Sequence, residues 1–403
     1  MSREMKVSGI EWITKIPVDW YTTKLKYITK NLDSMRIPIE ASQRNINGDV
    51  LYPYYGANGI LDYIDSYIFD YPSILIGEDG SVMHEDNTPY VNFADGKYWV
   101  NNHAHIYVEK KGSELRYLYY LISVSDIHNL TTGTTMLKLT QSNLANLRLI
   151  VPSLTEQQTI ANFLDNKCSK IDNAISKQKS IIEKLKEYKQ SIITETVTKG
   201  LEPDVEMKDS GIEWIGKIPS NWNLQRFKFT HLKANVGENV DRSMYGNNEG
   251  NLKFYTAGLN FTTTSYYDFP KWKYTNKNDL LMARNGTPYV YLPTLGAVYS
   301  DHIIRAEIKY SYDKRYIKYC LQQSISATVI DSVSIATWSI AVWDKQFLPI
   351  PSTEVQQAIA DYLDKKCSQI DEAITRSNTI IEKLEEYKKS IIFEYVTGKK
   401  EAK

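Results

Sequence analysis

The sequence predicts an α+β protein in which two globular domains stand in pseudo-twofold tandem, separated by two long α-helices. Three observations carry that expectation. Two blocks recur along the chain, the segments between them diverge, and the second block has the apolar periodicity of a coiled-coil seam.

The first block, KVSGIEWITKIPVDWYTTKLKY from Lys6 to Tyr27, returns as KDSGIEWIGKIPSNWNLQRFKF from Lys208 to Phe229. Trp12, Pro17 and Trp20 meet partners in Trp214, Pro219 and Trp222. The second block begins at Val151 and returns without a gap from Ile350, at a constant offset of about 199 positions. Self-similarity over such lengths marks duplicated structural units. Residues 28–150 and 230–349 share only fragments, such as SILIGEDG (Ser73–Gly80) beside DLLMARNG (Asp279–Gly286), and His103 beside His302. One scaffold holding two different inserts follows. The expected domains are 1–153 and 208–352, with helices over 154–200 and 353–399 and a linker over 201–207.

Each helix is read from its stripe. Cys168, Ile171, Ile175, Gln178, Ile182, Leu185, Lys189 and Ile192 fall at alternating steps of four and three, with an added stripe at Ile181 and Tyr188. The second copy supplies Cys367, Ile370, Ile374, Ser377, Ile381, Leu384, Lys388 and Ile391. A Thr-x-x-Gln pattern, Thr155 with Gln158 and Thr353 with Gln356, predicts the helix starts. Neither rod can cover its stripe alone, so each packs on the other or on its own domain. The pattern does not give the direction of pairing.

Composition narrows the function. Forty-two per cent hydrophobic and 24% charged residues describe a folded globular chain. Three cysteines without metal-type spacing suit reduced thiols, and no apolar run is long enough for a membrane span or a secretory signal, so a cytoplasmic protein is expected. Net charge is zero, but residues 1–150 carry 14 basic against 17 acidic side chains while residues 208–349 carry 17 against 12. A nucleic-acid surface would have to come from segregating that charge.

Tempting catalytic motifs fail on chemistry. GIEWIGKI (Gly211–Ile218) approaches a phosphate-binding loop, yet ends in Ile218 instead of a hydroxyl and has Thr14 for its second glycine in the other copy. PDVEMK (Pro203–Lys208) has nuclease-type residues crowded into one linker-like segment. His103 and His105 would share a strand face, but no further ligand completes a metal site. No nucleophilic triad or dinucleotide fingerprint appears.

The inserts are instead rich in Tyr, Asn, Thr and Gly, which can contact phosphates and base edges and are equally ordinary in strands and turns. The candidate DNA-binding residues are Tyr54, Tyr55, Asn58, Lys97, Asn101, Asn102, His103 and His105 in the first domain. In the second they are Lys253, Asn260, Thr262, Lys271, Lys273, Arg284, Asn285, Thr287, Tyr289 and His302.

SGIEWIGKIPSNW, PYYGANGI, the passage from Thr132 to Gln158 and the duplicated helix together resemble the specificity subunits of type I restriction-modification systems. The resemblance covers nearly the whole chain. It implies two target-recognition domains that each read half of a bipartite DNA site, and helices that pair antiparallel as a spacer. It also implies two modification subunits docked around those helices, with restriction subunits beyond them. S-adenosylmethionine, ATP and Mg are then expected on the partners and no cofactor on this chain, which has neither N-P-P-F nor D-P-P-Y and is expected to be non-catalytic. A self-contained restriction or methylation enzyme and a coiled-coil adaptor are the competing expectations.

Overall fold

The computed structural model describes residues 3–44, 49–80, 82–134, 136–246, 252–258, 260–328 and 337–402. Thr135, in the passage from Thr132 to Gln158, and Leu259, Ile335 and Ala336, in the insert 230–349, lie outside the described residues. By contact the chain divides into two compact units, Met1–Gln178 with Asn378–Lys403, and Lys179–Ser377. Each unit therefore owns one insert and a segment of both long helices.

In the first unit a four-stranded sheet has the order Val91–Ala94, Ser73–Gly77, Ala104–Glu109, Thr29–Asn31, every neighbour antiparallel. Its central strand, Ser73–Gly77, is buried at every position, as expected of a strand covered on both faces. A second sheet places Lys97–Val100 parallel to Tyr52–Gly56, which forms a hairpin with Gly59–Ile64. The second unit repeats the plan. Asp279–Ala283 lies between Ile303–Ile308 and Val290–Tyr291, and Val298–Tyr299 runs parallel to Leu252–Tyr255.

The long helices span Leu154–Lys199 and Thr353–Val396. Their caps correct the sequence expectation. Ser153 and Ser352, instead of Thr155 and Thr353, stand before the first turns, where their hydroxyls accept from the amides of Glu156 and Val355 at 3.3 and 3.5 Å. The buried Gln157 and Gln356 anchor each start, accepting from the Glu114 and Asp313 amides at 2.9 and 3.0 Å.

Within each unit the helix segments run antiparallel. Phe163 meets Tyr395 with ring centroids 4.3 Å apart, and Asp172 takes Lys388 at 2.6 Å. The same ion pair recurs as Lys189 with Asp371 at 2.6 Å. Such exposed pairs contribute about 1 kcal/mol or less, so the buried seam of Ile171, Ile175, Ile182, Ile192, Ile370 and Ile391 does most of the holding. The added stripe differs from the seam. Ile181 and Tyr188 are exposed, as are Ile380 and Tyr387 at the equivalent positions.

Each core is closed by the tail of the helix that belongs to the other repeat. Ile391, Ile392 and Val396 join the core containing Ile13, Ile16 and Trp20, while Ile192, Ile193 and Val197 join that containing Ile215, Ile218 and Trp222. Tyr117 donates to the carbonyls of Ile150 and Val396 at 3.1 and 3.2 Å, and Tyr316 to those of Pro349 and Val197 at 2.7 and 3.3 Å. The repeated Gly-Ile-Glu-Trp block is thus a docking floor for a helix end. The Gly-rich resemblance to a phosphate loop dissolves into a turn in which Gly211 and Gly216 take φ values of 72° and 63°, beside the buried Ile215.

Candidate nucleic-acid interface

Both units bring the same backbone positions to one place. In the first, the chain leaving Ser73–Gly77 meets the turn before Ala104–Glu109, where the Glu78 amide donates to the His103 carbonyl at 2.9 Å. The Asn101 amide donates to the Tyr55 carbonyl at 3.0 Å, and Asn101 Oδ1 accepts from the His103 amide at 2.8 Å. In the second, the Arg284 amide donates to the His302 carbonyl at 2.8 Å and the Ser300 amide to the Tyr255 carbonyl at 2.9 Å. Ser300 Oγ accepts from the His302 amide at 3.3 Å. Glu78, Asp79, Asn101 and His103 therefore correspond to Arg284, Asn285, Ser300 and His302.

The side chains at these matched positions differ in chemistry. His103 Nδ1 lies 2.7 Å from Asp79 Oδ1, and because a carboxylate only accepts, the ring donates there and turns Nε2 outward. Glu78 is ion-paired with Arg36 at 2.7 Å and Lys138 at 3.4 Å. Arg36 also donates to the carbonyls of Asn102 and Ala104, fastening the turn that carries His103. In the second unit His302 Nδ1 lies 3.2 Å from Asn285 Oδ1, and Arg284 donates to the Asp301 carbonyl at 3.1 Å. Asn285, Gly286 and His302 line an open cleft of about 660 Å³ with Arg242, Tyr245, Thr256, Ala257 and Gly258.

Several expected contact residues are interior instead. Tyr54 is 1% exposed, and its hydroxyl takes the Ile39 amide at 3.1 Å. His105 is 1% exposed, its nitrogens 2.6 Å from Asp33 and 2.7 Å from the Leu139 carbonyl. Burial works to raise the Asp33 carboxyl, but His105 and the Ile106 amide outweigh it and hold it below its ordinary value. His103 sits in a turn and is exposed, so the two histidines do not share the strand face expected for metal ligands. Lys273 is buried, pairing with Glu238 at 3.0 Å and donating to the Val236 carbonyl. Asn101 is buried and Tyr55 half-buried against Tyr98. In each case a polar group that looked available is consumed by the fold, because a buried polar atom must be paired.

The remaining candidates keep surface. Asn58, Lys97, Asn102, Lys253, Asn260, Lys271, Thr287 and His302 are exposed, while Thr262, Arg284, Asn285 and Tyr289 are half-buried. Lys97 lies 4.6 Å over the Tyr67 ring and Lys253 4.9 Å over Phe261, which keeps both cations at the surface. Tyr289 is not brought to the cleft of Asn285 and His302; it lines another with Lys318 and Gln322. Sequence reasoning missed Asp79, Glu78, Arg36, Arg242 and Tyr245. Pairing SILIGEDG with DLLMARNG was the signal, since it sets Asp79 against Asn285.

Among the described residues no group of three or more His, Cys, Asp or Glu is placed to hold a metal ion, and no helix is long and apolar enough to cross a membrane. Two inserts on one repeated frame, each turning variable polar residues toward solvent from matched backbone positions, define a paired recognition module. The chain belongs to the type I restriction modification DNA specificity domain family, whose model matches residues 17–187 and again 237–386. It is similar to a putative type I restriction enzyme specificity subunit of Haemophilus influenzae, 32% identical over 148 residues, covering 37% of this chain and 37% of that protein. It is also similar to the EcoDI type I restriction enzyme specificity subunit of Escherichia coli, 23% identical over 230 residues, covering 53% and 49%. The matches thus span between about a third and half of those relatives. A chain solved in work on complex assembly and conformational transition of the type I R-M system has the same fold, with a TM-score of 0.65 at 13% identity over 95% of this chain and 99% of that one.

Proposed function

We propose that this chain is the DNA-recognition subunit of a type I restriction-modification complex, in which each domain reads one half of a bipartite site. The paired helices fix the separation of the halves and dock two modification subunits, and restriction subunits join that assembly. Methyl transfer and cleavage, with S-adenosylmethionine, ATP and Mg, belong to the partners.

The observation that carries this reading is the duplicated backbone frame with divergent polar side chains, within a chain matched twice by a DNA specificity family. A bipartite site needs two readers of different preference on one connected scaffold, and base edges are distinguished by the donors and acceptors that meet them. The exposed pairs Ile181 with Tyr188 and Ile380 with Tyr387 support the docking role, since identical apolar patches suit two copies of one partner.

The test is a methylation map of cells expressing the modification subunits with and without this chain. A two-part motif that appears only with the chain is expected. Methylation or cleavage by the purified chain alone, given DNA, magnesium and S-adenosylmethionine, would instead favour a self-contained enzyme.

A further inference from the structure

The matched positions after the central strands suggest where the two halves are told apart. Asp79 and Asn285 occupy the same place in the two frames, each beside a histidine whose side chain is about half exposed, 49% for His103 and 51% for His302. Their volumes are nearly equal. Their chemistry is not, because a carboxylate offers only acceptors whereas an amide offers an acceptor and two donors.

We propose, building on the reading of the chain as a DNA-recognition subunit, that Asp79 and Asn285 are equivalent specificity-determining residues, with Asp79 accepting from the exocyclic amino group of a cytosine and Asn285 pairing with an adenine. The acceptor-only Asp79 matches the donor that cytosine presents in the major groove. Asn285 can meet the adjacent acceptor and donor of adenine together. His103 and His302 hold these groups through Nδ1; Nε2 of His103 is left to meet a phosphate or a neighbouring base, whereas Nε2 of His302 lies 3.9 Å from the Asp301 carboxylate.

The surroundings fit this division. A carboxylate near a polyanion needs nearby cations, and the first frame supplies Arg36 and Lys138, which sit on the adjoining Glu78. The second frame needs none for a neutral amide: Arg242 lines the cleft of Asn285, and Arg284 is held on the Asp301 carbonyl without a carboxylate partner among the described residues. Asn285 lines a cleft shared with the short-chained Thr256 to Gly258, which leaves room for a base edge to approach.

The experiment uses the full chain assembled with its modification subunits. The wild-type methylation map comes first, and a map without any motif dependent on the chain overturns the recognition reading itself. With a motif established, Asn285→Asp should move the preference at one base pair of one half from adenine toward cytosine by about tenfold, while Asp79→Asn moves one base pair of the other half in the opposite sense. Unchanged motifs in both variants overturn the inference and leave the recognition reading standing. A variant that methylates nothing is assayed by competition binding of the assembled complex to duplexes carrying all four base pairs at each position. A reordered preference at one position supports the assignment; the wild-type ranking, or loss of binding to every duplex equally, overturns it.

Discussion

The two domains anchor the same position of their central strands with different chemistry. In the first, Ser73 on the central strand shares a 2.6 Å hydrogen bond with the Tyr98 hydroxyl, which also donates to the Tyr71 carbonyl. In the second, the equivalent Asp279 is fully buried and takes Arg305 Nε at 2.6 Å, where the first domain has Ile106. Burial pushes the Asp279 carboxyl above its ordinary value despite Arg305. Its Oδ1 finds no hydrogen-bond partner among the described residues. The backbone ladder is therefore the shared element, and the side chains beneath it are exchangeable.

The sharpest way to break this comparison is to remove half of the ion pair. Arg305→Met leaves a buried carboxylate without its cation and should destabilise the second domain by about 3–5 kcal/mol in denaturant unfolding. Replacing both members by the residues the first domain has at those positions, Asp279→Ser with Arg305→Ile, should recover most of that loss. A double variant as unstable as the single one would show that the frame depends on the pair. Ser73→Ala loses one neutral hydrogen bond and should cost about 1 kcal/mol by the same measurement.

The helix tails offer a comparison in which the domains should agree. Tyr117→Phe and Tyr316→Phe each remove a phenol that spans two carbonyls, one of them on the closing helix, and each should cost about 1 kcal/mol. Markedly unequal losses would contradict the equivalence of the two closures.

Much of this frame was legible in the sequence, for physical reasons that also mark where legibility ends. The seam from Cys168 to Ile192 was readable because helical period and burial repeat together, and Ile171, Ile175 and Ile182 are buried as that period requires. That each core is closed by the other repeat's helix was not, since a seam has the same spacing in either direction. The site was less legible than the fold. Lys273 and His105 look like surface cations from their type alone, and only the packing reveals Glu238 and Asp33 beside them. Asp79 was passed over because a phosphate-binding surface is expected to be basic, although base edges also present donors that an acidic side chain can meet.

A smaller structural change tests the helices as a spacer. One heptad added after Ile175 and another after Ile374 would keep both seams in phase and lengthen each rod by roughly 10 Å, which is about three base pairs of DNA. The methylated motif should keep its half-sites and widen its gap. An active variant that retains the original gap would leave the helices as docking surfaces alone.

Independence of the two readers is the central claim, and one exchange tests it most directly. Residues 28–150 are replaced by the corresponding insert of a related specificity subunit, the chimaera is assembled with the same modification subunits, and methylated sites are mapped across a genome. The proposal predicts that one half of the motif changes to the donor's, with the other half and the gap unchanged. Alteration of both halves together, or of neither in an active complex, would contradict it.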